Sequence, residues 1–111
     1  MSVYSFQDIA DRVRPVAEKY GLRSVYLFGS YARGEATEDS DVDLLIDYGD
    51  YRKSGANRGM FWIGGLYNDF CNALEKEVDM VTTDSLERQR GTELGGRFVQ
   101  EVELDRRRID L

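Results

Sequence analysis

The chain has 111 residues, one cysteine, no histidine and a formal charge of −6 from 21 acidic and 15 basic side chains. That length predicts one small domain spanning residues 1–111, with no mass for a second, substrate-holding domain. The absence of histidine excludes imidazole-bound zinc, a histidine base and a Ser-His-Asp triad, so chemistry falls to carboxylates, hydroxyls, backbone N–H groups or metal ions.

The segment SFQDIADRVRPVAEKYG predicts an amphipathic helix, with Ser5 as N-cap, Asp8 at N3 and an apolar stripe of Phe6, Ile9, Val13, Val16 and Ala17. Gly21 ends it, and Pro15 either bends it or joins two segments. RSVYLFG is a first strand, apolar enough for burial on both faces and closed by Gly29. SYARG has room for one helical turn, and the polar GEATEDS leads to a second strand, DVDLLIDY. The Gly-rich, charged stretch that follows, within residues 49–60, reads as a mobile loop whose Arg52, Lys53 and Arg58 are either solvated or counter-ions for a triphosphate.

MFWIGGLYNDFCNALEKE predicts a helix, with Ile63, Tyr67, Phe70, Cys71 and Leu74 at offsets of three and four. Its aromatics Phe61, Trp62, Tyr67 and Phe70 read as core, with Trp62 as the candidate for an outward partner anchor. VDMVTT is a third strand. LERQRGTELGGRFVQEVEL then predicts one final helix carrying Leu94, Phe98 and Val102, interrupted or frayed at Gly95 and Gly96. ELDRRRIDL either continues that helix or forms an edge strand, and Arg106 to Arg108 read as a solvated tail. The order predicts an α+β fold: a small mixed sheet with helices packed on one face and the other left open for a substrate.

Asp41 and Asp43 carry the chemistry. At i and i+2 on a strand their side chains share one face, with Cα atoms roughly 6.5 Å apart. Carboxylates so close repel unless a proton or a hard cation such as Mg²⁺ lies between them. Val42, Leu44 and Ile46 point the other way and anchor the strand. Asp79 joins the cluster if its strand lies alongside, and three carboxylates suit a two-metal arrangement. With no histidine present, Asp79 is also the best-placed general base. Gly29 lets the chain leave the first strand sharply, and Ser30 opens a short helix whose free N–H groups face an approaching phosphate. Arg33, one turn on, lies beside the same phosphates or simply in solvent. The Ser30 hydroxyl either meets phosphate or caps the helix, and Tyr31 packs beneath it or lies beside a bound base. Asp47 reads as a strand-end residue. A lone D-x-D is usually a solvated strand end and Gly-Ser usually a turn; it is G-S, ten residues, then D-x-D that is specific.

In that pattern GSYARGEATEDSDVDLLID resembles the nucleotidyltransferase signature of the polymerase-beta-like superfamily, in the compact form of the minimal nucleotidyltransferases. The resemblance runs from the first helix to VDMVTTDSL. It implies that Gly29 and Ser30 are the signature's opening pair, Asp41 and Asp43 its metal-binding aspartates, and Asp79 the third carboxylate. It implies further a Mg²⁺-dependent transfer of AMP from ATP to a hydroxyl. Small chains of this kind resemble the antitoxin half of a toxin–antitoxin pair, which adenylylates a tyrosine of a HEPN-domain ribonuclease toxin encoded nearby, so a hetero-oligomer is expected. Two alternatives stand beside it: an antitoxin that neutralises by binding alone, and a transferase for a small hydroxylated substrate.

The acidic balance argues against direct nucleic-acid binding. MSVYSFQDIADR lacks the basic start and apolar core of a signal peptide, and no apolar run approaches membrane-spanning length, so a cytoplasmic protein without membrane contact is expected.

Overall fold

The computed structural model describes residues 3–49 and 59–111. Helix α1, Phe6–Tyr20, opens with a reciprocal cap: the Ser5 hydroxyl accepts the Asp8 N–H, and the Asp8 carboxylate accepts the Ser5 N–H, both at 3.1 Å. Pro15 lies inside the helix without ending it, and Gly21 closes it in the left-handed region with φ of 63°. The buried face is Ile9, Ala10, Val13, Val16 and Ala17.

Strand β1, Ser24–Phe28, passes directly into the one-turn helix α2, Gly29–Arg33, and a polar loop leads to β2, Val42–Asp47. After α3, Met60–Leu74, come β3, Val78–Thr82, then α4, Thr83–Gln89, α5, Glu93–Asp105, and β4, Arg107–Ile109. The sheet order is β3-β2-β1-β4, with β1 antiparallel to β2 and β4, and β2 parallel to β3. The expected mixed α+β sheet is therefore what forms.

Alternation along β2 sorts the core. Val42, Leu44 and Ile46 pack with α1 and α3 residues such as Ile9, Val13, Leu66 and Phe70. Leu45, out of phase with them, joins Phe28, Leu86, Val99 and Val102 in a second cluster beneath α4 and α5. The main helical layer thus lies on one face as expected, but the other face is not left fully open: its apolar Leu45 and Phe28 need cover, and α4 and α5 supply it.

Three expectations for the C-terminal third change. The predicted single last helix is two, because the chain turns at Arg90-Gly91-Thr92 and Thr92 caps α5 by accepting the Gly95 N–H at 3.0 Å. Gly95 and Gly96 lie inside α5 rather than at a frayed break. A Cβ on Gly95 would collide with the Thr92 hydroxyl and come within 2.6 Å of the Gln89 carbonyl, so the tight corner demands a small residue. Leu94, expected on the buried stripe, is 84% exposed, since the corner sets the helix so that Val99 and Val102 face inward.

The last segment is an edge strand. Ile109 is fully buried, while Arg106 to Arg108 are exposed as expected, yet not in a loose tail: Arg107 lies over the Phe6 ring at 4.0 Å and Arg106 over the Tyr26 ring at 5.0 Å. Among the aromatics of α3, Phe70 is core as expected, and Trp62 packs edge-on against Tyr20 and Tyr48. Trp62 thus belongs with the core, whereas Phe61, 93% exposed, and Tyr67, 39% exposed, face outward against the core expectation. Among the described residues no helix is long and apolar enough to cross a membrane.

Candidate active site

The site begins where β1 ends. Gly29 takes a φ of 73°, a backbone turn that side-chain-bearing residues resist, and α2 starts there at once. A second constraint coincides with the first: a Cβ on Gly29 would collide with the Asp43 carboxylate. The antiparallel register pairs Phe28 with Asp43, which places the turn over that side chain. Glycine is needed here both for its dihedral and for the space it leaves.

The parallel register between β2 and β3 sets Asp43 directly opposite Asp79, as the sequence reading required of neighbouring strands. Asp43 is half-buried and Asp79 exposed. Burial, together with the negative charges of Asp79 and then Asp41, pushes the Asp43 carboxyl up to about 6, and Arg33 partly opposes the rise. Asp41 falls just before β2 and is exposed, so it reaches Asp43 as a charge from the loop rather than as a strand neighbour.

Gly29, Arg33, Asp43 and Asp79 line one cleft of about 180 Å³; Asp41 and Ser30 are not part of its wall. A larger hollow of about 370 Å³ beside α5, lined by residues such as Arg90, Arg97 and Gln100, contains none of the three aspartates. Among the described residues, no three acidic, thiol or imidazole side chains are already drawn together as metal ligands. The site therefore brings Asp43 and Asp79 side by side, with Asp41 coupled to them electrostatically. Its donors are hard oxygens, and its half-buried member is pressed toward protonation by burial and by like charge. That chemistry fits a divalent cation such as Mg²⁺, which would offset the repulsion.

Helix α2 has no side-chain cap; its N-cap is Phe28, so the capping alternative for the Ser30 hydroxyl does not apply. Arg33 is not simply solvated. Its Nε donates to Glu35 at 2.9 Å and its Nη1 to Asp105 at 2.6 Å, and these carboxylates push its proton affinity up. Tyr31 packs in the main core beneath α2, its hydroxyl buried with no hydrogen-bond partner among the described residues. Asp47 is a strand-end residue whose carboxylate accepts the Gly49 N–H at 2.8 Å. Arg52, Lys53 and Arg58 lie outside the described residues.

The cleft also has a wall that the sequence reading missed: Phe98, Glu101, Val102 and Asp105 of α5. A signal was present. Phe98, Val102 and Asp105 follow one another at offsets of four and three, so the helical stripe that placed the first two beside the sheet also reaches the third.

Residues 13–110 match the family profile described as a nucleotidyltransferase domain. The Methanocaldococcus jannaschii protein named "Putative protein adenylyltransferase MJ0126" is 40% identical over 73 residues, covering 66% of this chain and 68% of its own. A second protein from that organism, "Putative protein adenylyltransferase MJ0435", is 30% identical over 82 residues, covering 74% and 82%. Among solved structures, one titled "Structure of putative minimal nucleotidyltransferase" superposes with a TM-score of 0.65 at 27% identity, over 96% of this chain and 98% of its own. A toxin-antitoxin crystal structure with AMP-PNP gives a TM-score of 0.63 over 91% of this chain and 72% of its own; at 20% identity this is a likeness of fold.

Proposed function

This chain belongs to the nucleotidyltransferase domain family, and from that premise we propose that it is a protein adenylyltransferase. It moves AMP from ATP to a hydroxyl, specifically a tyrosine, of a HEPN-domain ribonuclease toxin, and acts as that toxin's antitoxin. The observation that carries this reading is the register pairing of Asp43 with Asp79 beside the Gly29 turn. The names of the M. jannaschii relatives support a protein acceptor. So does the exposure of Asp79, which lets it meet a hydroxyl carried on another macromolecule.

In this mechanism the backbone N–H groups at the start of α2, with the Ser30 hydroxyl, hold the nucleotide's phosphates, and Arg33 supplies positive charge beside them. Asp41, Asp43 and Asp79 would hold Mg²⁺, which when bound supplies positive charge to offset that on the phosphates. Asp79 takes the proton from the acceptor hydroxyl as its oxygen bonds to the α-phosphorus and the bond to pyrophosphate breaks. The half-buried Asp43 is the fixed member, and the exposed Asp41 and Asp79 close around it.

The test is labelled ATP, magnesium and the candidate toxin in one tube. Wild-type protein should label the toxin, and Asp43→Asn should lower the rate by about a thousandfold or more while remaining folded. A stable complex with no label points to an antitoxin that only binds. Asp43→Asn transferring near the wild-type rate removes the carboxylates from the mechanism.

A further inference from the structure

Asp105 has no part in the mechanism above, yet it stands in the same cleft as Asp43 and Asp79. Its side chain is only 17% exposed, and its Oδ2 accepts from Nη1 of Arg33 at 2.6 Å across a sequence separation of 72. On its other side Arg33 is held through Nε by Glu35 at 2.9 Å, a side chain 60% exposed. A guanidinium has five N–H donors. These two bonds occupy Nε and Nη1, and no hydrogen bond among the described residues engages Nη2.

We propose that Asp105 is a positioning residue for nucleotidyl transfer: it braces Arg33 against α5 so that the Nη2 edge is left for the anionic phosphates of the nucleotide. The inference rests on the nucleotidyltransferase reading of the cleft. A long side chain that is already fixed loses less freedom when its ligand arrives, so the brace acts on nucleotide affinity. Of the two carboxylates, the shielded Asp105 is the effective brace, because a solvent-facing pair such as that with Glu35 holds its partner weakly.

Steady-state transfer by wild type, Asp105→Asn, Arg33→Gln and the double variant tests this. Asp105→Asn should raise KM for ATP roughly threefold to tenfold with kcat nearly unchanged, Arg33→Gln should raise it further, and the double variant should be no worse than Arg33→Gln. An unchanged or lowered KM in Asp105→Asn overturns the proposal; a lowered one makes Asp105 a competitor of phosphate. So does an equal penalty from Asp105→Asn when Arg33 is already gone, or a fall in Tm with no change in KM, which marks a structural tie alone. The same four proteins titrated calorimetrically with ATP and magnesium report the coupling without any transfer. A wild-type protein that binds but does not transfer therefore counts against the functional reading only, and one that does not bind ATP overturns both.

Discussion

Asp43 and Asp105 face one cleft but are held there by different means. Asp43 sits on a central strand, paired on one side with Phe28 of β1 and on the other with Asp79 of β3, and roofed by a glycine whose hydrogen it nearly touches. Asp105 is the last residue of a helix that begins at an exposed corner, and its link to the rest of the cleft is one ion pair to Arg33. The floor is thus built from ladder hydrogen bonds and the wall from a docked helix. Strand register fixes side-chain position to a fraction of a residue spacing, whereas a helix lying on Phe28 and Leu45 can shift as a unit. The floor thus fixes the clustered carboxylates, and the wall supplies the brace on Arg33.

The sharpest way to break the floor is Gly29→Ala. It forces a side chain into the left-handed region and into the Asp43 carboxylate, so a loss of about 3 kcal/mol in stability is expected, read by urea denaturation, together with loss of transfer. A loss below about 0.5 kcal/mol would mean that the turn and the aspartate are not packed as described.

A smaller effect isolates the charge on the floor. Because Asp43 holds its proton up to about pH 6, above the ordinary carboxyl range, its contribution to unliganded stability is fully present below about pH 4 and is lost as pH rises through 6. At pH 7, Asp43→Asn should therefore be more stable than wild type by about 1.5 kcal/mol, a figure reduced for the solvent reaching this half-buried group. At pH 4 the two should nearly coincide. Equal stabilities at both pH values would remove both the burial penalty on the Asp43 charge and its repulsion by Asp79 and Asp41.

The wall answers to a different substitution. Thr92→Ala removes the cap at the corner before α5 and should cost about 1 kcal/mol of stability while leaving the pH behaviour of Asp43 intact. Hydrogen exchange should show faster opening of α5 with β2 unchanged. If β2 opens equally, floor and wall form one cooperative unit and the contrast drawn between them fails.

This contrast also explains what was legible in the sequence. Spacing alone placed Gly29, Asp43 and Asp79, because strand alternation and a glycine turn are local rules, and the parallel pairing then needed only that β3 lie beside β2. The capping box at Ser5 and Asp8 and the stop at Gly21 were readable for the same reason. The α5 wall was not read correctly, because its start depends on Thr92 accepting from Gly95, and the neighbouring glycines look like breaks until the corner is seen. Nor could local pattern show that Arg33 would be met by Asp105, since that contact joins residues 72 apart. Phe61 and Tyr67, read as core beside Trp62 and Phe70, lie outside it because periodicity fixes which side chains share a helical face, but not where the edge of the core falls.

Gly29 and Asp43 share a single volume, and that makes them one heritable unit. A lineage that abandons the aspartate lifts the steric half of the constraint on the glycine and leaves only its left-handed dihedral, whereas a lineage that keeps it is bound by both. Descendants that retain the domain only as an inert scaffold should therefore show the two positions drifting together.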